Sequence, residues 1–384
     1  MLFEFLSMPV QQQFLLLLIP FFLIVLTAKH FVPKKRNDAF IAAASAVFIL
    51  VVTGLHGAVF LLSVSVLYLF LGKKTAVHRI LFTAFYLLHT ASTLIFILAG
   101  IPANFFYFFF VSFTLPKLAY LAFRRWKGRR MPAFQEYFRF MVFFPVLFHG
   151  PILRLETFRK AEKGRVCTAR FFLGAAKSAA GWLLLLFFNV SLTGIVFMTS
   201  LQVLAAFWVN AISFYLSFSG LMDCVVSIAG FLGYGVPENF PRNPYLCSNV
   251  SDFWRNWHAT LTKWLTDYVY IPLGGKFNPL SSIVVFFLIG VAHMRWENVF
   301  AYPFDSFVML LLFMLIAVVS LRVSKSAECW LEKSKISAGK KKAFSLLGVF
   351  LTFNLACLYW VLLFNLVGSL ENLGIFALKI LFLA

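Results

Sequence analysis

Two histidines of a largely apolar chain are the residues best suited to do chemistry. His258 lies in the polar and aromatic stretch Pro237–Gly275, PENFPRNPYLCSNVSDFWRNWHATLTKWLTDYVYIPLGG. His293 closes the apolar run SSIVVFFLIGVAH further along. An unperturbed imidazole has a pKa of about 6.5, so in a semi-dry site it can take a proton near neutrality. Such a histidine could activate a hydroxyl for attack on a bound thioester, a reaction that needs no metal. The chain has no nucleophile-elbow serine, no HExxH and no P-loop, which leaves few other routes to catalysis. Ionisable groups in a bilayer are costly and mark functional sites by default. Taken alone, however, His293 is more simply a packing or helix-capping histidine of a bundle.

The elements that must position these side chains are membrane helices. The 384 residues are 61% hydrophobic and only 12% charged, where a soluble domain would carry about a quarter charged residues. The apolar blocks are long and do not alternate, which argues against a β-barrel. The expected fold class is an all-α polytopic membrane protein of about 10–12 membrane segments, judged from windows of roughly 20 residues. The formal charge of +20 sits in a few short loops between apolar runs. That is the positive-inside pattern with anionic lipid as the partner, not a nucleic-acid surface. The cysteines (Cys167, Cys224, Cys247, Cys329, Cys357) show no CxxC spacing, so no metal site and no disulfide pattern is expected. Cys224 and Cys357 read as small packing residues. No cleavable signal peptide is expected, and the first helix reads as an uncleaved anchor.

In order, Phe14–Ala28 runs into a basic loop with Lys29, Lys34, Lys35 and Arg36. Ala39–Gly72 holds two short spans with a break near His56–Gly57, followed by Lys73, Lys74 and Arg79. Ile80–Phe123 holds two more, turning at Gly100–Asn104, before the basic Arg124–Arg139. Paired spans between basic loops put those loops on one face, the cytoplasmic one, with the N-terminus outside. Phe140–Arg154 is short, carries Pro145, Gly150 and Pro151, and has basic flanks on both sides. It reads as a re-entrant element, tolerated only where protein buries it.

Leu155–Arg170 is again basic and cytoplasmic. Phe171–Met198 and Leu201–Met222 form a hairpin, with Asp223 in the apolar run that continues through Cys224–Gly233. Ser281–His293 runs outward, Ala301–Leu321 returns, and Arg322–Lys342 forms a last basic loop. Ala343–Leu366 goes out again, and Asn372–Ala384 is a short final segment. This parity puts His258 near the cytoplasmic face and His293 towards the outer half. One domain covers 1–384: N-terminal helices 1–139, a core 140–302 with re-entrant elements, and C-terminal helices 303–384.

Four blocks carry a resemblance: YLSFSGLMD (Tyr215–Asp223), GYGVPENFPRNPYL (Gly233–Leu246), SDFWRNWHATLTKWLTDYVYIPLGG (Ser251–Gly275) and the downstream His293. Together they resemble the membrane-bound O-acyltransferase (MBOAT) family. The likeness is to its bacterial branch of polysaccharide and cell-wall enzymes, which includes alginate O-acetyltransferases and teichoic acid D-alanyltransferases. FFPVLFHGPILRLETF (Phe143–Phe158) is similar to that branch's Gly-Pro-Ile-x-Arg element.

The resemblance implies a ring of helices around a thin core with a tunnel, and a multi-pass protein of the cytoplasmic membrane. It implies His293 as catalytic base, with His258 supporting the site or the donor. The implied donor is a cytoplasmic thioester, acetyl-CoA or an acyl carrier protein, used as substrate and not as a bound cofactor. The implied acceptor is a hydroxyl of an extracytoplasmic glycan, or a relay acyltransferase. Where the branch usually has Trp-His-Gly, this chain has Ala292-His293-Met294. The Tyr270–Gly275 close leans towards acetyl transfer; the short C-terminal part leans towards D-alanyl transfer.

Asn239, Arg242, Trp254, Arg255, Trp257 and Arg154 lie in the matching blocks and are the candidate substrate contacts, with Asp223. Asp223 is equally a buried acid orienting a site residue or a helix-end partner for a loop arginine. Arg242 and Arg255 could grip a phosphate or meet lipid headgroups. Trp254, Trp257 and Trp264 also suit an interfacial belt. His149 is a further candidate; His30, His56, His78 and His89 have no assigned role. A reading of another class remains open, in which Asp223, His258 and His293 line a proton path in a transporter.

Overall fold

A computed structural model describes residues 10–71, 105–147, 149–159, 168–188, 192–293, 302–364 and 369–381. The turn expected at Gly100–Asn104 and the span before it lie outside these residues. Among the described residues every regular element is helical. In chain order these are α1 (Val10–Lys29), α2 (Asn37–Thr53), α3 (Leu55–Leu71), α4 (Phe105–Trp126), α5 (Phe134–Val142), α6 (Leu155–Arg159) and α7 (Thr168–Phe188). There follow α8 (Ser200–Leu232), α9 (Val250–Asn256), α10 (Ala259–Leu265), α11 (Leu280–His293), α12 (Pro303–Lys333), α13 (Ala338–Leu363) and α14 (Leu370–Ile380). Four described segments, Lys34–Thr53, Ser200–Leu232, Pro303–Lys333 and Ala338–Leu363, are long and apolar enough to cross a membrane. The protein is a polytopic, all-helical membrane protein.

Helix α12 shows how the sequence builds such an element. Phe304, Phe307, Leu311, Leu315, Val319 and Val323 recur every three or four residues and are all exposed. Ser306, Met309, Leu310, Phe313 and Ala317 on the other face are buried. An apolar stripe that stays exposed on a membrane helix faces lipid, because water would not tolerate it and lipid does.

Three boundaries differ from the sequence expectation. Arg322–Lys342 is mostly not a loop: α12 runs to Lys333 and α13 starts at Ala338. Hydropathy ends the span at Arg322, but Arg322–Lys333 contains no Gly or Pro and nothing in it stops the helix. Ser337 then caps the next helix, its hydroxyl accepting from the Lys340 N–H. Helix α8 is one 33-residue rod, so Asp223 lies within it and not at a helix end. At 1.5 Å per residue it extends about 50 Å, beyond a hydrocarbon core of ~30 Å. The break between α2 and α3 falls at Gly54, two positions before the expected site, where φ is +57° and the N–H closes on Leu50 O at 2.8 Å.

The chain divides into two compact units, Met1–Ala175 with Gly220–Glu238, and Ala176–Ser219 with Asn239–Ala384. In the first, Phe140–Arg154 is no spanning helix. Helix α5 gives way to a 3-10 turn at Phe144–Val146 and then to irregular backbone. Its described residues 140–147 and 149–153 are buried, as non-helical backbone at membrane depth must be, and protein meets several of its backbone groups. The buried Lys117 ammonium donates to the carbonyls of Phe140 (3.2 Å) and Met141 (3.3 Å) at the C-terminal end of α5. The Phe144 N–H donates to Ser45 Oγ at 3.3 Å. Phe143, Phe158 and Tyr234 pack as a ring cluster beside it.

In the second unit, Tyr245 is the centre of the packing. Its hydroxyl donates to Ala211 O at 2.9 Å and accepts from Trp360 Nε1 at 2.8 Å. Its ring stacks on Phe253 and Trp257.

Candidate active site

The polar stretch folds into short helices because its caps and turns outweigh its propensity for one long one. Asn249 caps α9, its Oδ1 accepting from the Asp252 N–H at 2.7 Å. The helix stops after seven residues at Asn256; Trp257 is extended and His258 is left-handed, at φ +43° and ψ +51°. His258 is the sole non-glycine residue with positive φ among the described residues. A left-handed non-glycine residue costs on the order of 1–3 kcal/mol and persists only where its surroundings over-determine it, as they do at functional sites. Helix α10 follows, then a π-helical turn at Thr266–Tyr270, and the Gly274 and Gly275 turn at positive φ.

Asn239 holds this corner. Its backbone carbonyl accepts from the Ala259 N–H at 2.9 Å. Its side-chain Oδ1 lies 2.9 Å from His258 Nδ1 and accepts from the Thr260 N–H (3.3 Å) and hydroxyl (2.7 Å). His258 is 8% exposed and Asn239 1%. The Phe218 ring meets the His258 imidazole edge-on at 5.4 Å.

His293 is the last residue of α11, and its Nδ1 lies 2.8 Å from Ile289 O one turn back. A carbonyl can only accept, so Nδ1 carries the proton and Nε2 is the basic atom. The His293 ring contacts Phe364 at 6.1 Å. Phe364 touches Trp360 and Phe214; Trp360 packs on Trp257 at 4.4 Å, and Phe214 meets both Trp257 and Phe218. One aromatic wall in the second unit therefore carries both histidines. Phe214, Phe218, Trp360 and Phe364 were not singled out in the sequence, since nothing local separates them from the chain's many other packing aromatics.

The other candidates divide. Trp254 and Trp257 are 8% and 5% exposed, packed against Tyr359 and Trp360, so they are not belt residues. The Trp254 indole N–H has no acceptor among the described residues. Arg255 is exposed and pairs with Asp252 at 3.0 Å; Arg242 is exposed. Arg154 and Asp223 belong to the first unit. Asp223 accepts from both Nε and Nη2 of Arg170, at 3.0 and 2.8 Å, and Arg170 also pairs with Glu238. The partner of Asp223 is thus an arginine on the first turn of α7. His149 is buried against Phe113 in the first unit. Burial, with Asp252 nearby, pushes the Cys247 thiol up, which makes it a poor thiolate for carrying an acyl group. No group of three or more His, Cys, Asp or Glu with metal-binding geometry occurs among the described residues.

Comparison with known proteins adds a lineage to this geometry. A model of the membrane-bound O-acyltransferase family (MBOAT) matches residues 123–362. The chain is 30% identical over 167 residues to a probable alginate O-acetylase of Azotobacter vinelandii, covering 40% of this chain and 33% of that protein. It is 33% identical over 180 residues to a peptidoglycan O-acetyltransferase of Helicobacter pylori, covering 41% and 33%. It is 28% identical over 144 residues to a teichoic acid D-alanyltransferase of Bacillus subtilis, covering 34% and 36%. The matches span about a third of the length of these relatives.

Proposed function

This chain belongs to the membrane-bound O-acyltransferase family, and from that premise we propose that it moves an acyl group, acetyl in the first instance, across the cytoplasmic membrane. The donor is a cytoplasmic thioester, acetyl-CoA or an acyl carrier protein. The acceptor is a hydroxyl of an extracytoplasmic polysaccharide or cell-wall polymer, or of a relay protein.

The observation that carries this reading is the pair of histidines on one aromatic wall, with His293 held so that Nε2 is its basic atom. His293 Nε2 takes the proton as the acceptor oxygen attacks the thioester carbonyl. The C–O bond forms, the C–S bond breaks, and the imidazolium returns its proton to the departing thiolate. The aromatic surround supports this chemistry by excluding water that would otherwise take the acyl group. His258 supports the donor. D-alanyl transfer to teichoic acid is the second reading, favoured by the relatives bearing that name.

The test is mass spectrometry of envelope glycans from cells with and without the protein. Acetyl esters that disappear with the protein support the first reading and D-alanyl esters the second. Solute flux with no covalent product would overturn both in favour of a transporter.

A further inference from the structure

A buried imidazole is useful only if its proton is on the right nitrogen. For His258 that choice is made by Asn239. The Thr260 N–H is a backbone donor and cannot accept, so the Asn239 side-chain atom it meets is the carbonyl oxygen, Oδ1. The same oxygen receives the Thr260 hydroxyl at 2.7 Å. His258 Nδ1, 2.9 Å from that oxygen, must then be a donor. Through its carbonyl the Asn239 backbone also receives the Ala259 N–H at 2.9 Å. Backbone and side chain together clamp the left-handed turn at His258, and the amide cannot rotate without releasing Thr260. The other half of the amide is unspent. Asn239 Nδ2 is buried and has no acceptor among the described residues. A buried donor left unmatched is costly, which points to an acceptor supplied by a ligand.

We infer that Asn239 is a positioning residue that holds His258 in the tautomer with its proton on Nδ1 and its lone pair on Nε2, and that presents its Nδ2–H to an oxygen acceptor of the bound substrate. The tautomer half stands on geometry alone. The substrate half rests on the acyl-transfer reading, in which that oxygen belongs to the thioester or the hydroxyl acceptor. Tautomer control through the second ring nitrogen is how supporting groups commonly set histidine chemistry.

The test uses full-length protein in bilayers with ¹⁵N-labelled histidine. Solid-state NMR reads which ring nitrogen is protonated, and His258→Gln identifies the His258 signals among the seven histidines. The wild-type protein should show Nδ1–H at His258. Asn239→Asp keeps an oxygen acceptor and should keep that tautomer. Asn239→Leu removes the acceptor and should shift the population towards Nε2–H. Asn239→Asp also replaces the Nδ2 donor by an acceptor, so its KM for acetyl-CoA, the thioester probe, should rise about 10-fold.

An Nε2–H signal at His258 in the wild-type protein overturns the tautomer assignment, whether or not Asn239→Leu inserts. An unchanged KM in Asn239→Asp overturns the donor role. Nδ1–H in a protein that transfers no acyl group leaves the positioning intact and removes the acyl-transfer reading instead.

Discussion

The indole N–H of Trp360 donates to the hydroxyl of Tyr245 at 2.8 Å, and that hydroxyl in turn donates to Ala211 O at 2.9 Å. The bond joins α13 to the loop that precedes α9, so the polar stretch is hung from two membrane helices by one phenol. Tyr245→Phe should leave a buried indole donor unpaired and destabilise the protein by about 1–3 kcal/mol. Tyr245→Phe combined with Trp360→Phe should recover part of that loss, because the orphan donor is gone. Thermal unfolding in detergent checks both. Additive losses in the double variant would show that the hydrogen bond carries no coupling.

His293→Ala should yield an inserted, folded protein with almost no acyl product, and His293→Gln should fail as well. Glutamine can hydrogen-bond but cannot relay a proton. General-base assistance is typically worth about 10²–10⁴-fold, and the loss should fall in that range. His258→Ala should weaken turnover less. Product per unit of inserted protein is the measurement; near-normal yield from His293→Gln with none from His258→Ala would move the base to His258.

Glu156 on α6 receives the Tyr120 hydroxyl and pairs with Arg124 and Arg129. Burial alone would raise its carboxyl, but the Tyr120 bond, its own backbone and the two arginines outweigh that and hold it below the usual range. A carboxylate with a lowered folded-state pKa stabilises the fold above its unfolded value of about 4.3 and loses that contribution as pH falls through the folded value. Wild-type protein should therefore melt higher than Glu156→Gln at pH 7, and the gap should close in acid. A gap that is constant from pH 7 to strongly acid conditions would rule out the carboxylate as its source.

At Gly150 a Cβ would lie 2.7 Å from the Val146 Cα. That neighbour is backbone and cannot swing away. Gly150→Leu should disrupt the buried irregular segment and cost about 1–3 kcal/mol or more. A matched substitution on an exposed face of α12, Val319→Leu, should be neutral. Expression and melting temperature of the two variants give the comparison.

Much of this protein could be read without coordinates. Membrane class follows from hydropathy, which is a local sum over consecutive residues, and the broken Phe140–Arg154 element follows from its prolines and glycine. His258 and His293 stand out because charge and polarity are rare in this chain. Tertiary structure decided what those residues touch. The lock on His258 comes from Asn239 and Thr260, on either side of a left-handed turn that no local preference of histidine requires. The aromatic wall draws on Phe214, Trp257, Trp360 and Phe364, residues that only packing makes neighbours. Asp223 finds Arg170 on another helix, and Lys117, unremarked in an apolar run, proves to be a buried cap on α5. Hydropathy marks where a chain leaves the membrane but not where a helix ends, so α12 continues past Arg322. Contacts across long sequence separation depend on which faces meet, and that is settled only when the helices pack.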